Sequence, residues 1–523
     1  MNRKTLLTLI LVVCLVLSAC TQSKPSTTDS TDETDAPEGV SIEDQTFVVA
    51  VGTEARTLDP HFCTDGNTSR MIMQMYEGLV TFDTEGKIVG ALATDFKCAD
   101  DGVTWTFNLR DDVDFHCGNH FNAESVKYTF ERFMNPDIGS PRRSIPTEMI
   151  KEITAVSDTE LQITTISPFG DFIQNLASYS FVIMCPEHTE EHGKEISEYP
   201  CGTGPLKLKS WEHGTSLTFE RFEEYYGEPA SPKEVKVVIT PEDATRTMLL
   251  QSGDVDIITD VPPIQVPTLK ADENITLSLS ESYRAIYLGM NTKNEKLSDP
   301  LVRRAINYAI DKESIINHVL GGVAVPAFGV VPTSIESSTK DVETYPYNPE
   351  KAKELLSEAG YPDGFNVKLF TPEGRYPMDK QVCEAIQPML AGVGINAEIQ
   401  VMEWAAYNAV LQTGEESELY LMGKNSPTGD PYYDLSLTLK SGASNNYSFY
   451  SNPVVDDLMD KIKSEINNSK RNELLVQLQQ LIQNDAPWAV LYYQMTSCAS
   501  QADVTGLVVY PNEIFNLSSL VRN

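Results

Sequence analysis

The sequence predicts an α/β protein of more than one domain, and three observations carry that expectation. The chain has 523 residues, too long for one ordinary hydrophobic core. Short apolar runs of strand type alternate with capped segments of helical period along most of its length, the pattern of helices layered on buried sheets. In mid-chain, from Glu281 to Asp311, an apolar strand runs into a polar turn and then a capped helix, which suits a crossing from one lobe to another.

That crossing is the best-defined stretch. Arg284-Ala-Ile-Tyr-Leu-Gly-Met290 is apolar enough for a strand buried on both faces. Asp299 can cap, Pro300 fits the first helical turn, and Val302, Ala305, Ile306, Ala309 and Ile310 recur at helical spacing.

At the N-terminus, Arg3 and Lys4 precede an apolar run from Leu6 to Leu17 that is too short for a membrane span and reads as a secretory signal over residues 1–19. Its ending, Leu17-Ser18-Ala19-Cys20, resembles a bacterial lipobox, which makes Cys20 the expected lipidation site. Acyl chains contribute about 0.8 kcal/mol per buried CH₂, so several on one cysteine hold a protein firmly to a membrane. Residues 20–45, rich in Ser, Thr, Asp and Glu, lack the apolar surface to fold and read as a tether. The formal net charge of −35 argues against nucleic acid or an anionic membrane surface as partner, since phosphate neutralisation needs clustered Lys and Arg.

Along the mature chain, Phe47–Val51 reads as a first strand and Thr104–Leu109 alternates as another. Asn122 caps a helix whose Val126, Phe130 and Phe133 share a face. Residues 151–183 read as two short strands and an apolar helix or strand. Gly202 and Gly204 suit a tight turn before the Leu206/Leu208 strand, and Pro241 and Gly253 bracket a helix between two strands. Asn348 and Pro349 start a helix, Ala352, Leu355, Leu356 and Ala359 form its buried face, and Gly360 and Pro362 stop it. A helix over Lys380–Leu390, a strand over Ile395–Val401, two helices near 453–466 and 470–484, and a strand over Trp488–Tyr493 complete the reading.

Several of these segments carry a family resemblance. The words Leu58-Asp59-Pro60, Tyr76-Glu77-Gly78-Leu79-Val80, Cys201-Gly-Thr-Gly-Pro205 and "LGMNTK…LSDPLVRRAINYAID" stand in order along the chain. Together they resemble the extracellular solute-binding proteins of the peptide/nickel/dipeptide group (family 5), the capture subunits of ABC importers. The resemblance spans about Phe47 to Tyr493. It implies a two-lobe periplasmic-binding-protein-like fold with a hinge and an additional subdomain inserted in lobe one. Lobe one then comprises 46–79, 199–289 and 488–523, the insertion 80–198, and lobe two 290–487. It also implies a monomer working with membrane permease subunits, without catalysis and without a cofactor.

A peptide carries an ammonium and a carboxylate, and a buried site must offer each a counter-charge. Asp430, in Gly429-Asp-Pro-Tyr-Tyr-Asp434, matches the ammonium-binding aspartate of peptide-binding relatives, with Asp434 as its alternative and a simple Pro-turn role as the bland reading. Arg375, in a loop after a lobe-two strand, is the candidate for the carboxylate, against a surface arginine paired locally. Trp404, Tyr407, Tyr432 and Tyr433 are candidate pocket walls that can equally be core. Nickel chelates, glutathione and other small solutes are the alternative ligands.

Other constellations remain. His188-Thr-Glu-Glu-His192 fits the H-x-x-E-H pattern of one zinc peptidase class but lacks an evident third ligand. His116, Cys117 and His120 bunch together without a partner cluster, so no metal site is expected there. Cys98 with Cys117, and Cys185 with Cys201, are spaced to form disulfides, with buried free thiols as the competing reading.

Overall fold

The structure is a computed structural model that describes residues 45–523. The signal segment, the lipidation site at Cys20 and the tether up to position 44 lie outside the described residues.

An eleven-stranded mixed sheet forms the spine. At its centre two long antiparallel strands, Ile275–Met290 and Trp488–Gln501, pair from Ile275 opposite Gln501 to Gly289 opposite Trp488. Toward one end this pair is flanked by Ile257–Thr259, then Thr46–Val51, Glu234–Ile239, Ser216–Arg221 and Leu206–Glu212. Toward the other end it is flanked by Leu419–Asn425, Phe365–Pro372 and Ile395–Met402. The register slips between Glu281 and Ala285, midway between the flanks. A slip of this kind breaks the ladder locally and bends the strands.

The expected elements form for the expected reasons. Residues Ala285 to Met290 are buried without exception. Asp299 Oδ1 accepts from the Leu301 amide at 2.8 Å, and the helix Pro300–Ala309 buries Val302, Ala305, Ile306 and Ala309. Asn348 Oδ1 accepts from the Lys351 amide at 3.0 Å to start Pro349–Glu358. The last strand runs eight residues beyond the expected Tyr493, to Gln501. Gln494–Gln501 is small and polar and shows no strand pattern alone; pairing with Ile275–Glu281 makes it one. The helix Trp404–Thr413 and the strand Leu419–Asn425 were not anticipated.

A separate four-stranded antiparallel sheet, in the order Ala93–Cys98, Thr104–Leu109, Glu160–Thr165, Ile150–Ser157, packs under the helix Ala123–Met134. Its core is largely phenylalanine: Phe107, Phe115, Phe121, Phe130, Phe133 and Phe172 are all buried, each contributing about 1.5–3 kcal/mol of transfer free energy. The segment read as an apolar helix or strand is a five-residue helix, Phe172–Leu176.

Just before that helix the Gly170 amide donates to the Lys463 carbonyl at 2.8 Å, docking this unit on the helices Pro453–Ser464 and Asn468–Asp485. A Cβ at Gly170 would lie 2.6 Å from Arg471 Nε and 2.8 Å from its Cδ, with the Glu465 carbonyl closer still. Gly170→Ala is therefore expected to lower unfolding stability by about 1–3 kcal/mol, the usual cost of overpacking. Urea unfolding checks this, and an unchanged midpoint would mean the contact yields freely.

Candidate functional site

A cavity of about 550 Å³ opens where this docking brings three parts of the chain together, within the size range of small-molecule sites. Thr64 comes from the loop before the helix Gly66–Met75, Arg142 and Asp171 from the four-stranded unit, and Tyr432 and Tyr433 from the helix Pro431–Leu439.

Its charged groups are only partly satisfied. The Arg142 guanidinium hydrogen-bonds the Tyr179 hydroxyl, lies 4.9 Å from that ring, and stands 3.5 Å from the Tyr433 hydroxyl. No carboxylate pairs with it among the described residues. Asp171 is 1% exposed. Its Oδ2 accepts from Asn175 Nδ2 at 3.0 Å, while Oδ1 has no hydrogen-bond partner. Burial, and next the neighbouring Asp430, push the Asp171 carboxyl up to about 7. One wall thus presents a cation without an anion, and another a buried carboxylate with an unused oxygen. Buried polar atoms are rarely left so.

Of the residues expected at the site, Tyr432 and Tyr433 line this cavity. Asp430, the expected ammonium anchor, lines a different cavity and is already paired there. Arg471 engages both its oxygens, with Nη2 at 2.9 Å from Oδ1, and Oδ1 also accepts from the Tyr432 amide at 2.8 Å to cap the helix. Both side chains of this pair are 4% exposed, so a second cation would compete with one already in place. Asp434 is buried, its Oδ2 in an ion pair with Lys424 Nζ at 3.7 Å but without a hydrogen-bond partner. Burial raises its carboxyl to about 6. Arg375 is exposed, its guanidinium 4.8 Å from the Trp404 ring and in no ion pair among the described residues, while its backbone amide donates to Asp379 Oδ2 at 2.9 Å. Tyr407 belongs to the core: it is fully buried, donates its hydroxyl to the Leu421 carbonyl, and stacks beneath the partly exposed Trp404.

Arg142 and Asp171 escaped sequence reasoning because neither sits in a distinctive word. "SPRRSIP" offers two arginines with nothing to choose between them. Only the fold sets Arg142 against Tyr433, nearly three hundred positions later.

The histidine motifs resolve individually. His116 Nε2 donates to the Gly204 carbonyl at 2.9 Å, and burial lowers its pKa to about 4. His120 pairs with Asp114 at 2.7 Å. In the H-x-x-E-H stretch, His192 stacks on Tyr199, Glu191 is exposed, and His188 turns toward Cys117 and Cys201. This arrangement does not assemble a peptidase centre. Of the two readings of the cysteines, the structure shows free thiols: Cys98, Cys117, Cys185 and Cys201 form no disulfide, and Cys117 Sγ lies 3.5 Å from Cys185 Sγ.

Comparison with known proteins places the chain in a family. The family model for bacterial extracellular solute-binding proteins, family 5 (middle region), matches residues 87–446. The chain belongs to that family. Its members are extracytoplasmic binding components of ABC importers, not enzymes, and the zinc peptidase alternative falls with this assignment. The glutathione-binding protein GsiB of Pectobacterium atrosepticum is 33% identical over 90% of this chain and 92% of its own length. Among solved structures, the periplasmic binding protein DppA of Helicobacter pylori in complex with the peptide STSA is 29% identical, with a TM-score of 0.77 over 92% of this chain and 98% of that one. HbpA2 of Haemophilus parasuis is 25% identical, with a TM-score of 0.82 over 92% and 100% of the two chains.

Proposed function

We propose that this protein captures short zwitterionic peptides, glutathione first among them, in the cavity at Arg142 and Asp171, and delivers them to a membrane permease. The carrying observation is the pair of incompletely satisfied opposite charges in one cavity of ligand size. Arg142 takes a ligand carboxylate, Asp171 takes the ammonium, and Tyr432 and Tyr433 supply apolar walls. Arg375 is not among the residues lining this cavity and is the alternative seat for the ligand carboxylate. The names of the relatives, one glutathione-binding and one solved with a peptide, support the same ligand class.

Capture works by population shift. The lobes, 46–79 with 199–289 and 488–523 on one side and 290–487 on the other, turn about the slipped register at Glu281–Ala285. A ligand that touches both walls only when they meet stabilises the closed form by that differential contact. Lipidation at Cys20 and the tether hold the protein at the membrane beside its permease.

Isothermal calorimetry with glutathione, Met-Leu and a nickel–histidine chelate tests the reading. Binding of glutathione or the dipeptide is expected; binding of the nickel chelate alone would overturn it. A pH series adds a second check. Asp171, its carboxyl near 7, must be ionised to meet an ammonium, and it is faced by Asp430, Arg471 and Asn175. Affinity is expected to be flat above pH 7 and to fall by up to about tenfold per pH unit below it, in Asp171 but not in an Asp171→Asn variant. In the free protein the sign reverses: a raised carboxyl stabilises the fold below its unfolded pKa and loses that contribution as pH rises through 7.

A further inference from the structure

Three cysteines and a histidine meet on the four-stranded unit, away from the cavity. Cys117 is carried by the turn between Phe115 and Phe121, Cys185 stands at the start of the short helix Pro186–His192, and Cys201 follows the strap that returns from it. Cys117 Sγ lies 3.5 Å from Cys185 Sγ. The ligand atoms of Cys117, His188 and Cys201 all lie within 4.8 Å of one another. We infer that Cys117, Cys185, Cys201 and His188 form a tetrahedral site for a thiophilic divalent cation, zinc above all.

The distances suit that reading. With Zn–S bonds of about 2.3 Å, a regular tetrahedron sets sulfurs about 3.8 Å apart, close to the observed contact; a disulfide needs about 2.05 Å. Cys117, His188 and Cys201 form one compact group, and Cys185 lies beside it against Cys117 as the fourth donor a bound ion would draw in. Cys₃His is a closed structural set, whereas a disulfide between any two of these cysteines would leave the third thiol and the imidazole in place. His188 Nε2 donates to the Tyr199 carbonyl at 2.9 Å. A carbonyl only accepts, so Nε2 carries the proton and Nδ1 keeps its lone pair for a metal, the usual second-sphere arrangement for a ligating histidine. Asn119 Nδ2, 3.4 Å from Cys185 Sγ, offers a hydrogen bond to that sulfur as thiolate. Binding forms three Zn–S bonds and one Zn–N bond, and the three thiols release their protons to solvent.

The site would pin the strap 186–200 at both ends and tie it to the turn at Cys117. His188, drawn from the peptidase-like motif, packs its ring against His192 with centroids 4.4 Å apart and shares its ligand group with Cys117 and Cys201.

The test uses the full chain purified with its thiols reduced, with zinc and cobalt(II) as probes. One zinc per chain is expected to survive desalting. The cobalt form is expected to show the ligand-field bands of a tetrahedral thiolate site. Cys117→Ser, at an exposed position, and His188→Ala should each weaken zinc binding by about a hundredfold or more. The proposal is overturned if the unaltered chain takes up no stoichiometric zinc, or if both variants retain it unchanged. Peptide mapping of protein isolated without reductant that finds a disulfide among Cys117, Cys185 and Cys201 would equally overturn it.

Discussion

Arg142→Gln is expected to raise the Kd for glutathione by about thirtyfold to a thousandfold while leaving the unfolding midpoint close to that of the parent. Removing one partner of a desolvated, hydrogen-bonded charge pair costs about 2–4 kcal/mol of binding, and each 1.4 kcal/mol is a factor of ten. The variant keeps length and polarity but not the forked cation that grips a carboxylate at two points. Arg142 is chosen because its contacts in the free protein, the Tyr179 hydroxyl and ring and the Tyr433 hydroxyl, are uncharged. Its positive charge is therefore uncommitted until a ligand arrives. Calorimetry on Arg142→Gln beside Arg375→Gln separates the two arginines. If Arg142→Gln binds like the parent and Arg375→Gln does not, the carboxylate belongs at Arg375 and the cavity is not the main ligand seat.

Arg471→Met is expected to lower the unfolding free energy by about 3–5 kcal/mol, the largest stability effect anticipated in this chain. The reason is the buried carboxylate left behind: Asp430 and Arg471 are each 4% exposed and hydrogen-bonded to one another. A buried pair is weak evidence for net stability, but breaking one side strands a charge in low dielectric. Asp430→Asn combined with Arg471→Met should therefore recover much of the loss, because the amide still accepts from the Tyr432 amide and carries no charge. Urea unfolding of the two variants decides it. If the double variant is no more stable than Arg471→Met, stranded charge is not the cause, and lost packing of the arginine stem is.

The same pair shows why the site was harder to read than the fold. Asp430, ahead of Pro431 at a helix start, has the chemistry of an ammonium anchor, and its sequence neighbours encourage that reading. Its actual partner lies 41 positions away on another helix, and no local pattern points to it. Tyr407, for which the sequence left both pocket wall and core open, illustrates a related point. A tyrosine in an apolar helix looks alike whether its hydroxyl meets a ligand or the Leu421 carbonyl. Tyr432 and Tyr433 do reach the cavity, which their position in the chain suggested but did not require.

Elements with a local physical cause were legible. The caps at Asn122, Asp299 and Asn348 each accept from a nearby amide as their side chains allow, and the buried faces of their helices follow from spacing alone. The central strand stretch Ala285–Met290 is apolar enough to be driven inside, and every residue of it is buried. The sequence by itself therefore determined an α/β chain with a mid-chain crossing and, through its ordered words, membership of a solute-binding family. Tertiary structure alone decided which distant groups meet: that Asp430 pairs with Arg471, that Arg142 and Asp171 line one cavity, and that Cys117 and Cys201 converge on His188. The reason is range. Caps and hydrophobic period act over a few residues and are written there, whereas the balance of buried charge is settled only when distant segments are brought within a few ångströms.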